Sequence, residues 1–196
     1  MINIILAGVG GQGIVLASKM ITQTAMDKGM QVRSSETIGM AQRGGCVASH
    51  IRIGERIFSP LIPRGTVDII IGFEPAEAVR YLTYLKENGI VIVSQKAIKP
   101  AFDPKATMEY DEQEMLKYLI SHVKCLQIVD ADAIYAECGS AKILNTALLG
   151  VAAATGVFGF SMEDIEKTIN NNLPKKLIEI NLKALHLGQS IAEENL

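Results

Sequence analysis

Apolar and polar positions alternate along this chain in two rhythms, and the switches between them mark out its elements. Residues 2–7 form a nearly continuous apolar run that stops at Gly8, the pattern of a strand buried on both faces. After a glycine-rich turn, residues 14–28 place Val15, Leu16, Met20, Ile21, Thr24 and Ala25 on one helical face, and Gly29 ends the helix. Residues 30–35 read as a second strand, so the chain opens as one strand–helix–strand unit. Residues 36–45 lose all periodicity and turn to glycine and polar side chains, a loop too long for a passive connector. Residues 46–53 alternate in part through Val47, Ser49, Ile51 and Ile53. With residues 56–58 after Gly54 they suggest a β-hairpin grafted onto the sheet.

Buried strands recur at residues 66–73 and 90–94. Between them Pro75 opens an amphipathic helix over residues 76–86, and Asn88-Gly89 makes the turn that follows. Residues 111–123 form a helix with Met115, Leu116, Leu119 and Val123 on its apolar face. A strand at 126–129 and a short helix at 130–137, ended by Gly139, come next. Ser140 caps a largely apolar helix reaching Thr155, and Ser161 with Asp164 opens residues 162–170 as a capping-box variant. The last helix, over residues 174–193, sets Leu177, Ile180, Ala184, Leu187 and Ile191 on one face, widened by Ile178, Leu182 and Leu185. So broad a face fits either a doubly contacted core helix or a helix that packs on a partner. No repeat or linker interrupts the pattern. The chain therefore predicts one α/β domain over residues 1–196. It is a Rossmann-like three-layer domain with a mostly parallel sheet, a β-hairpin inserted after the second strand, and a helical C-terminal part.

Composition narrows the function classes. A net charge of -2, no Trp and only 5% aromatics argue against a nucleic-acid surface, which needs a basic footprint and stacking platforms. Nearly half the residues are apolar and mean hydropathy is +0.24, which points to apolar surface covered by a partner chain. Cys46, Cys125 and Cys138 are too scattered to build an iron–sulfur or zinc site from this chain, and their odd, sparse count suits a reducing cytoplasm. The N-terminal residues lack a basic segment before the apolar run, so they do not read as a signal peptide. The apolar stretch near residues 147–160 is too short and too glycine-rich to span a membrane.

Two segments carry chemistry. Gly8-Val9-Gly10-Gly11-Gln12-Gly13 is a complete G-x-G-x-x-G between a strand and a helix. Such glycines permit a sharp turn and close backbone approach, and the helix start offers N–H groups and a partial positive charge to a phosphate. Glu36 stands 23 residues beyond Gly13, near the place of the acidic residue that holds a ribose in dinucleotide folds. A turn serving only strand–helix packing fits the same glycines equally well. The second segment includes Glu36, Met40, Gln42, Arg43, Gly44 and Gly45, a carboxylate, an amide and a guanidinium in one glycine-rich loop at the strand ends. Arg43 suits bidentate pairing with a phosphate or carboxylate, although it could equally pair Glu36 within the loop. The remaining candidates read as structural. His50, His122 and His186 are too far apart for a ligand pair, Asp130 and Asp132 suit a helix cap, and Glu74 and Glu77 suit a helix start. Cys46 has no neighbouring base in sequence to activate it, and Asn145 is a polar residue on an apolar helix, placed to position a loop.

The segments GVGGQGIVLAS, SSETIGMAQRGGCVASHIRIG, SPLIP and DIIIGFEPAEAVRYLTYL together resemble the small subunits of 2-oxoacid:ferredoxin oxidoreductases, the gamma-type subunit or domain. The GMAQRGG form is similar to the indolepyruvate branch, whereas the pyruvate and oxoglutarate branches more usually carry a proline-containing loop of the YGPEARGG kind. The match is close over residues 1–95, and ADAIYAECGSAKILNTALLG extends it.

That resemblance implies a complex that converts an aryl pyruvate and coenzyme A (CoA) into an aryl-acetyl-CoA, carbon dioxide and reduced ferredoxin. Thiamine diphosphate, Mg²⁺ and [4Fe-4S] clusters would sit on a large alpha subunit, with ferredoxin as electron acceptor, and this chain would bind none of them. The isolated chain would then be inactive and could form a homodimer. Its part would be to complete the active site, with Gly8, Gly10, Gly11, Gln12, Gly13, Glu36, Met40, Gln42, Arg43, Gly44 and Gly45 facing substrate or CoA, and no residue is marked as acting in the chemistry itself. Two other readings use the same residues: a stand-alone NAD(P)-binding oxidoreductase, and a non-catalytic structural subunit.

Overall fold

The computed structural model describes residues 1–38, 45–98 and 111–194. In chain order the elements are β1 (Ile2–Val9), α1 (Ile14–Asp27), β2 (Val32–Ile38), β3 (Cys46–Ile53), β4 (Val67–Gly72), α2 (Pro75–Tyr81), β5 (Leu85–Ser94), α3 (Glu112–His122), β6 (Cys125–Val129), α4 (Ala131–Cys138), α5 (Leu144–Ala154), α6 (Met162–Asn172) and α7 (Lys175–Glu194). The strands form one sheet in the order β2-β3-β1-β4-β5-β6. β1, β4, β5 and β6 pair in parallel, and β3 runs antiparallel to both of its neighbours.

The two-residue period of the strands decides which helices they meet. Ile4, Leu6, Ile69 and Ile71 face one core with α1, α4, α5, α6 and α7. Ile5, Ala7 and Ile70 face a second core with α2 and α3. The sheet is therefore covered on both sides, which is why its central strands are apolar without interruption. This is the three-layer α/β fold that the sequence pattern predicts.

The inserted hairpin takes a particular form. β3 turns back from β2 and enters the sheet between β2 and β1, pairing with β1 over its whole length from Ile2↔Ile53 to Val9↔Cys46. Residues 56–58, expected as the return strand, form no strand. Two further expectations need correction. The helix foreseen over residues 76–86 ends at Tyr81, followed by a 3-10 turn at Leu82–Tyr84. Asn88-Gly89 makes no free turn either, because it lies in a bulge of β5, where Val67↔Leu85 is followed by Ile69↔Ile90. Gly89 is needed there, since a Cβ would fall 2.9 Å from the Val67 carbonyl oxygen.

α5 is buried at every position from Leu144 to Ala153, and α7 lies across it. Of the broad apolar face of α7, Ala184 and Leu185 are buried, Ile178, Ile180, Leu182, Leu187 and Ile191 are half-buried against the same core, and Leu177 is exposed. Thr146 donates to Asn181 at 2.6 Å, joining the two helices through a buried polar pair. Two glycines let the backbones touch: a Cβ on Gly188 would lie 2.0 Å from the Ala147 carbonyl oxygen, and one on Gly150 2.1 Å from that of Leu185. No helix among the described residues is long and apolar enough to cross a membrane.

Alanine is the better helix former by about 1 kcal/mol, so on propensity alone Gly188→Ala should stabilise α7. The backbone contact reverses the sign. Gly188→Ala is expected to lose about 1–3 kcal/mol by the cost of overpacking, read as a lower midpoint in chemical denaturation. An unchanged or raised midpoint would show that the helices are not this close.

Candidate functional site

The carboxyl end of β1 leads directly into the glycine turn, and three features fix its shape. Gly8 has no room for a side chain, because a Cβ would meet the Gln12 Oε1 at 2.5 Å and the Phe73 Cβ at 2.7 Å. Gly11 and Gly13 take positive φ, at 94° and 80°. Gln12 folds its amide back into the turn, where Oε1 accepts from the Val9 N–H at 2.7 Å and Nε2 donates to the Phe73 carbonyl at 2.8 Å. The Phe73 N–H in turn donates to Ala7 at 2.7 Å. One side chain thus bridges the ends of β1 and β4, the position where open α/β sheets usually admit a ligand.

α1 begins at Ile14 with Gly13 as N-cap and no side-chain cap, so its first amides keep their dipole field outward. Asn145 of α5 supports this start from behind. It is buried, its Nδ2 donates to the Gly13 carbonyl at 3.4 Å, and its Oδ1 finds no protein partner among the described residues. A Cβ on Gly13 would strike Asn145 Nδ2 at 2.8 Å. In front of the turn lies a cleft of about 440 Å³, lined by Gly10, Gly11, Gly13, Ile14, Lys19 and Val47 among others. Glycine backbone, an uncapped helix start and one ammonium group together suit an anionic group such as a phosphate.

The second segment is joined to the first at its stem. Gly10 donates to the Gly45 carbonyl at 3.0 Å, and Val9 stands opposite Cys46 in the β1–β3 ladder. Gly45 is thereby placed beside the turn. Met40, Gln42, Arg43 and Gly44 lie outside the described residues. Glu36 belongs to β2 rather than to the loop, opposite Ser49, and β3 separates it from β1. It shares the α1 face of the sheet but stands two strands from the turn, not on the neighbouring strand where a ribose-binding carboxylate of a dinucleotide fold belongs.

On the other face of the same edge the structure assembles a group that no local pattern foretold. Glu77 of α2 is buried, accepts a hydrogen bond from the Cys46 thiol at 3.1 Å and pairs with Arg80 Nε at 3.2 Å. Cys46 is exposed as a residue, but loss of hydration at its sulfur, and then the hydrogen bond to Glu77, push its thiol pKa up. The thiolate is disfavoured, so Cys46 is a hydrogen-bond donor here and not a nucleophile. Glu74 is the N-cap of α2, accepting from the Glu77 N–H at 3.0 Å, and Asp130 caps α4. Ser161 and Asp164 form a full capping box.

The histidines are dispersed. His122 stacks on Tyr118, and His186 lies 3.4 Å from Glu166. His50 is buried on β3 against Tyr81 and Tyr84, and its Nδ1 accepts from the Ile62 N–H at 3.3 Å. Cys46, Cys125 and Cys138 sit on β3, β6 and α4, and no group of three or more metal-binding side chains converges among the described residues. These residues do not fit an iron–sulfur cluster.

Two predictions follow from this geometry. Gln12→Leu strands the Val9 amide and the Phe73 carbonyl, at a cost of about 1–3 kcal/mol for a buried group left unpaired. The checks are a lower unfolding midpoint and faster hydrogen exchange at the Val9 amide, and unchanged exchange would refute the bridge. Burial holds the His50 pKa below its ordinary 6.5, so the unfolded chain takes up this proton first as pH falls. The stabilisation is complete above about pH 6.5 and is lost as pH drops below that value toward the folded pKa. His50→Gln, which keeps an acceptor but not the titration, should flatten this part of the melting-temperature profile against pH.

The family model described as "Pyruvate ferredoxin/flavodoxin oxidoreductase" matches residues 3–191. An indolepyruvate oxidoreductase subunit IorB of Archaeoglobus fulgidus is 38% identical over 97% of this chain and 95% of its own. The ketoisovalerate oxidoreductase subunit VorA of Methanothermobacter marburgensis is 29% identical over the whole of this chain, which spans only 37% of that longer protein. A crystal structure of a keto/oxoacid ferredoxin oxidoreductase gamma subunit from Geobacter sulfurreducens superposes with a TM-score of 0.71 at 23% identity, covering 99% of both chains.

Proposed function

The chain belongs to the pyruvate ferredoxin/flavodoxin oxidoreductase family and is a small subunit of a 2-oxoacid:ferredoxin oxidoreductase, and from that premise we propose that it completes the active site for oxidation of an aryl pyruvate, indolepyruvate in particular. The observation that carries this reading is the junction of the two segments. The Gly10–Gly45 hydrogen bond and the Val9↔Cys46 register hold Gly45, the last residue of the second segment, beside the cleft at the start of α1. The substrate class rests on the full-length relatives named indolepyruvate oxidoreductase subunit.

In this reading the holoenzyme joins an aryl pyruvate to CoA with loss of carbon dioxide, and two electrons pass to ferredoxin. Thiamine diphosphate with Mg²⁺ and the iron–sulfur clusters, held by the large subunit, supply the carbanion and electron-transfer chemistry. What this chain contributes is position and field. Gly10, Gly11 and Gly13 let backbone approach closely, the α1 start and Lys19 favour an anionic group of CoA or substrate, and Arg43 clamps a carboxylate or phosphate from the loop. Gln12 stiffens the turn, so the donors are in place before the ligand arrives. Glu36, Met40, Gln42, Gly44 and Gly45 complete the facing surface. Its free, scattered cysteines are in keeping with a reducing cytoplasm.

The test is Arg43→Ala in the complex reconstituted with its large subunit, assayed by ferredoxin or viologen reduction. Loss of a charge-assisted bidentate contact, worth roughly 1.5–3 kcal/mol, should lower kcat/KM on the order of 10- to 100-fold, with the rise in KM identifying whether CoA or the oxoacid is held. Unchanged turnover and Michaelis constants would remove Arg43 from the site.

A further inference from the structure

The connection between β3 and β4 presents large apolar side chains to solvent on a stiff frame. Phe58 is 94% exposed, the most exposed of the large apolar residues described, with Leu61 at 60% and Met1 also at 60%. An exposed phenylalanine in a slack loop would carry little meaning, but this loop is held at many points. Ile57 and Ile62 are buried on either side of it. The Arg52 guanidinium donates to the carbonyls of Ser59 and Leu61 at 3.0 and 3.3 Å and reaches the Met1 Sδ at 2.9 Å, drawing Met1 and Leu61 into one patch. The Leu61 N–H donates to Ser59 Oγ at 3.2 Å, Ile62 N–H donates to His50, and Thr66 closes the segment on the Pro63 carbonyl at 2.8 Å. Arg56 sits at φ 56°, the one non-glycine residue described in the left-handed region, a strain that only a well-determined loop sustains. Bonds and strain are thus spent on holding two hydrophobic side chains out in water, where they gain nothing for the isolated chain.

We propose that this loop, residues 57–62 with Met1, is the surface by which the chain docks on the larger subunit of its oxidoreductase, a proposal that rests on the functional reading above. Two observations select that occupant. The ketoisovalerate subunit VorA carries the equivalent of this whole chain within a polypeptide of which it is 37%, so there the module is tethered to the rest at high effective concentration. In the indolepyruvate oxidoreductase subunit of Archaeoglobus fulgidus the equivalent of this chain covers 95% of the polypeptide, and a subunit of that kind needs an anchor in place of the tether, for which a preorganised aromatic on a rigid loop is what is required. The charge around the patch defines the receiving surface. Residues 52–64 carry Arg52, Arg56 and Arg64 against the single acid Glu55, on a chain whose net charge is -2, and the Arg52 guanidinium lies at the patch itself. The socket on the large subunit is accordingly apolar with carboxylates at its rim, which would steer the encounter and set its orientation.

The experiment measures association of the full chain with the purified large subunit by calorimetry, at low and high salt, for the unmodified protein, Phe58→Ser, Leu61→Ser and Ile120→Ser. Ile120 is also exposed, at 61%, but lies on α3 away from this loop, and serves as the control. Phe58→Ser should weaken binding on the order of tenfold or more and Leu61→Ser should weaken it less, both with unchanged melting temperature. Ile120→Ser should bind as the unmodified chain does, and salt should weaken every complex. Equal affinity of Phe58→Ser and the unmodified chain overturns the proposal while leaving the functional reading intact. A Phe58→Ser effect confined to self-association in sedimentation also overturns it, and assigns the patch to a second copy of this chain. Failure of the unmodified chain to bind the large subunit overturns both.

Discussion

The pairing of β3 against β1 is the constraint from which the rest of the structure follows. Eight consecutive residue pairs run from Ile2↔Ile53 to Val9↔Cys46, so neither end of β3 can shift without breaking the ladder. At its start this register sets Gly45 and Cys46 beside the glycine turn, which allows the Gly10–Gly45 bond and brings the Cys46 thiol to Glu77. At its end it delivers Ile53 beside Ile2, so the chain must cross back to β4 through the loop that carries Phe58. It also pushes β2, with Glu36, to the sheet edge. A slip of one residue would turn Val47 and Ile51 from the α1 core to the opposite face, which is why the apolar alternation fixes the register so firmly.

Much of this was legible in the sequence because it is local. Apolar runs located β1, β4 and β6, glycine and proline marked the ends of α1 and α2, and the Ser161–Asp164 box announced α6. The motif Gly8–Gly13 fell where a strand-to-helix turn was expected. What escaped reading depends on partners distant in sequence. Nothing in residues 46–53 says that this strand enters between β2 and β1 rather than beside them, and with that the apparent role of Glu36 changed. Glu77 looked like an ordinary acid in a first helical turn, because Cys46 lies 31 residues away and only the sheet brings it near. The helix expected to reach residue 86 stopped early because Leu85 pairs with Val67, a tertiary contact that outweighs helical propensity. Of the identifying segment, Glu36 is on β2 and Gly45 beside the glycine turn, while Met40, Gln42, Arg43 and Gly44 lie outside the described residues.

The polar groups on the two faces of the sheet are largely occupied with one another. The buried Glu77 accepts from the Cys46 thiol, and the buried His50 accepts a backbone N–H. At the glycine turn Gln12 and Asn145 bond to backbone groups, so the uncapped start of α1 and its dipole are held in a fixed place.

The crossing of α5 and α7 has a consequence in time as well as in space. α5 is buried along nearly its whole length, and the backbone-to-backbone contact at Gly150 and Gly188 admits no other element in the place of α7. During synthesis α5 leaves the ribosome while the residues that will cover it are still untranslated. Until residue 188 emerges, its apolar surface has α1, α4, α6 and the sheet to turn to, but not α7. The nascent chain therefore passes through a stage in which secondary structure is complete around an open core, the stage at which a growing polypeptide is most exposed to aggregation and to capture by chaperones.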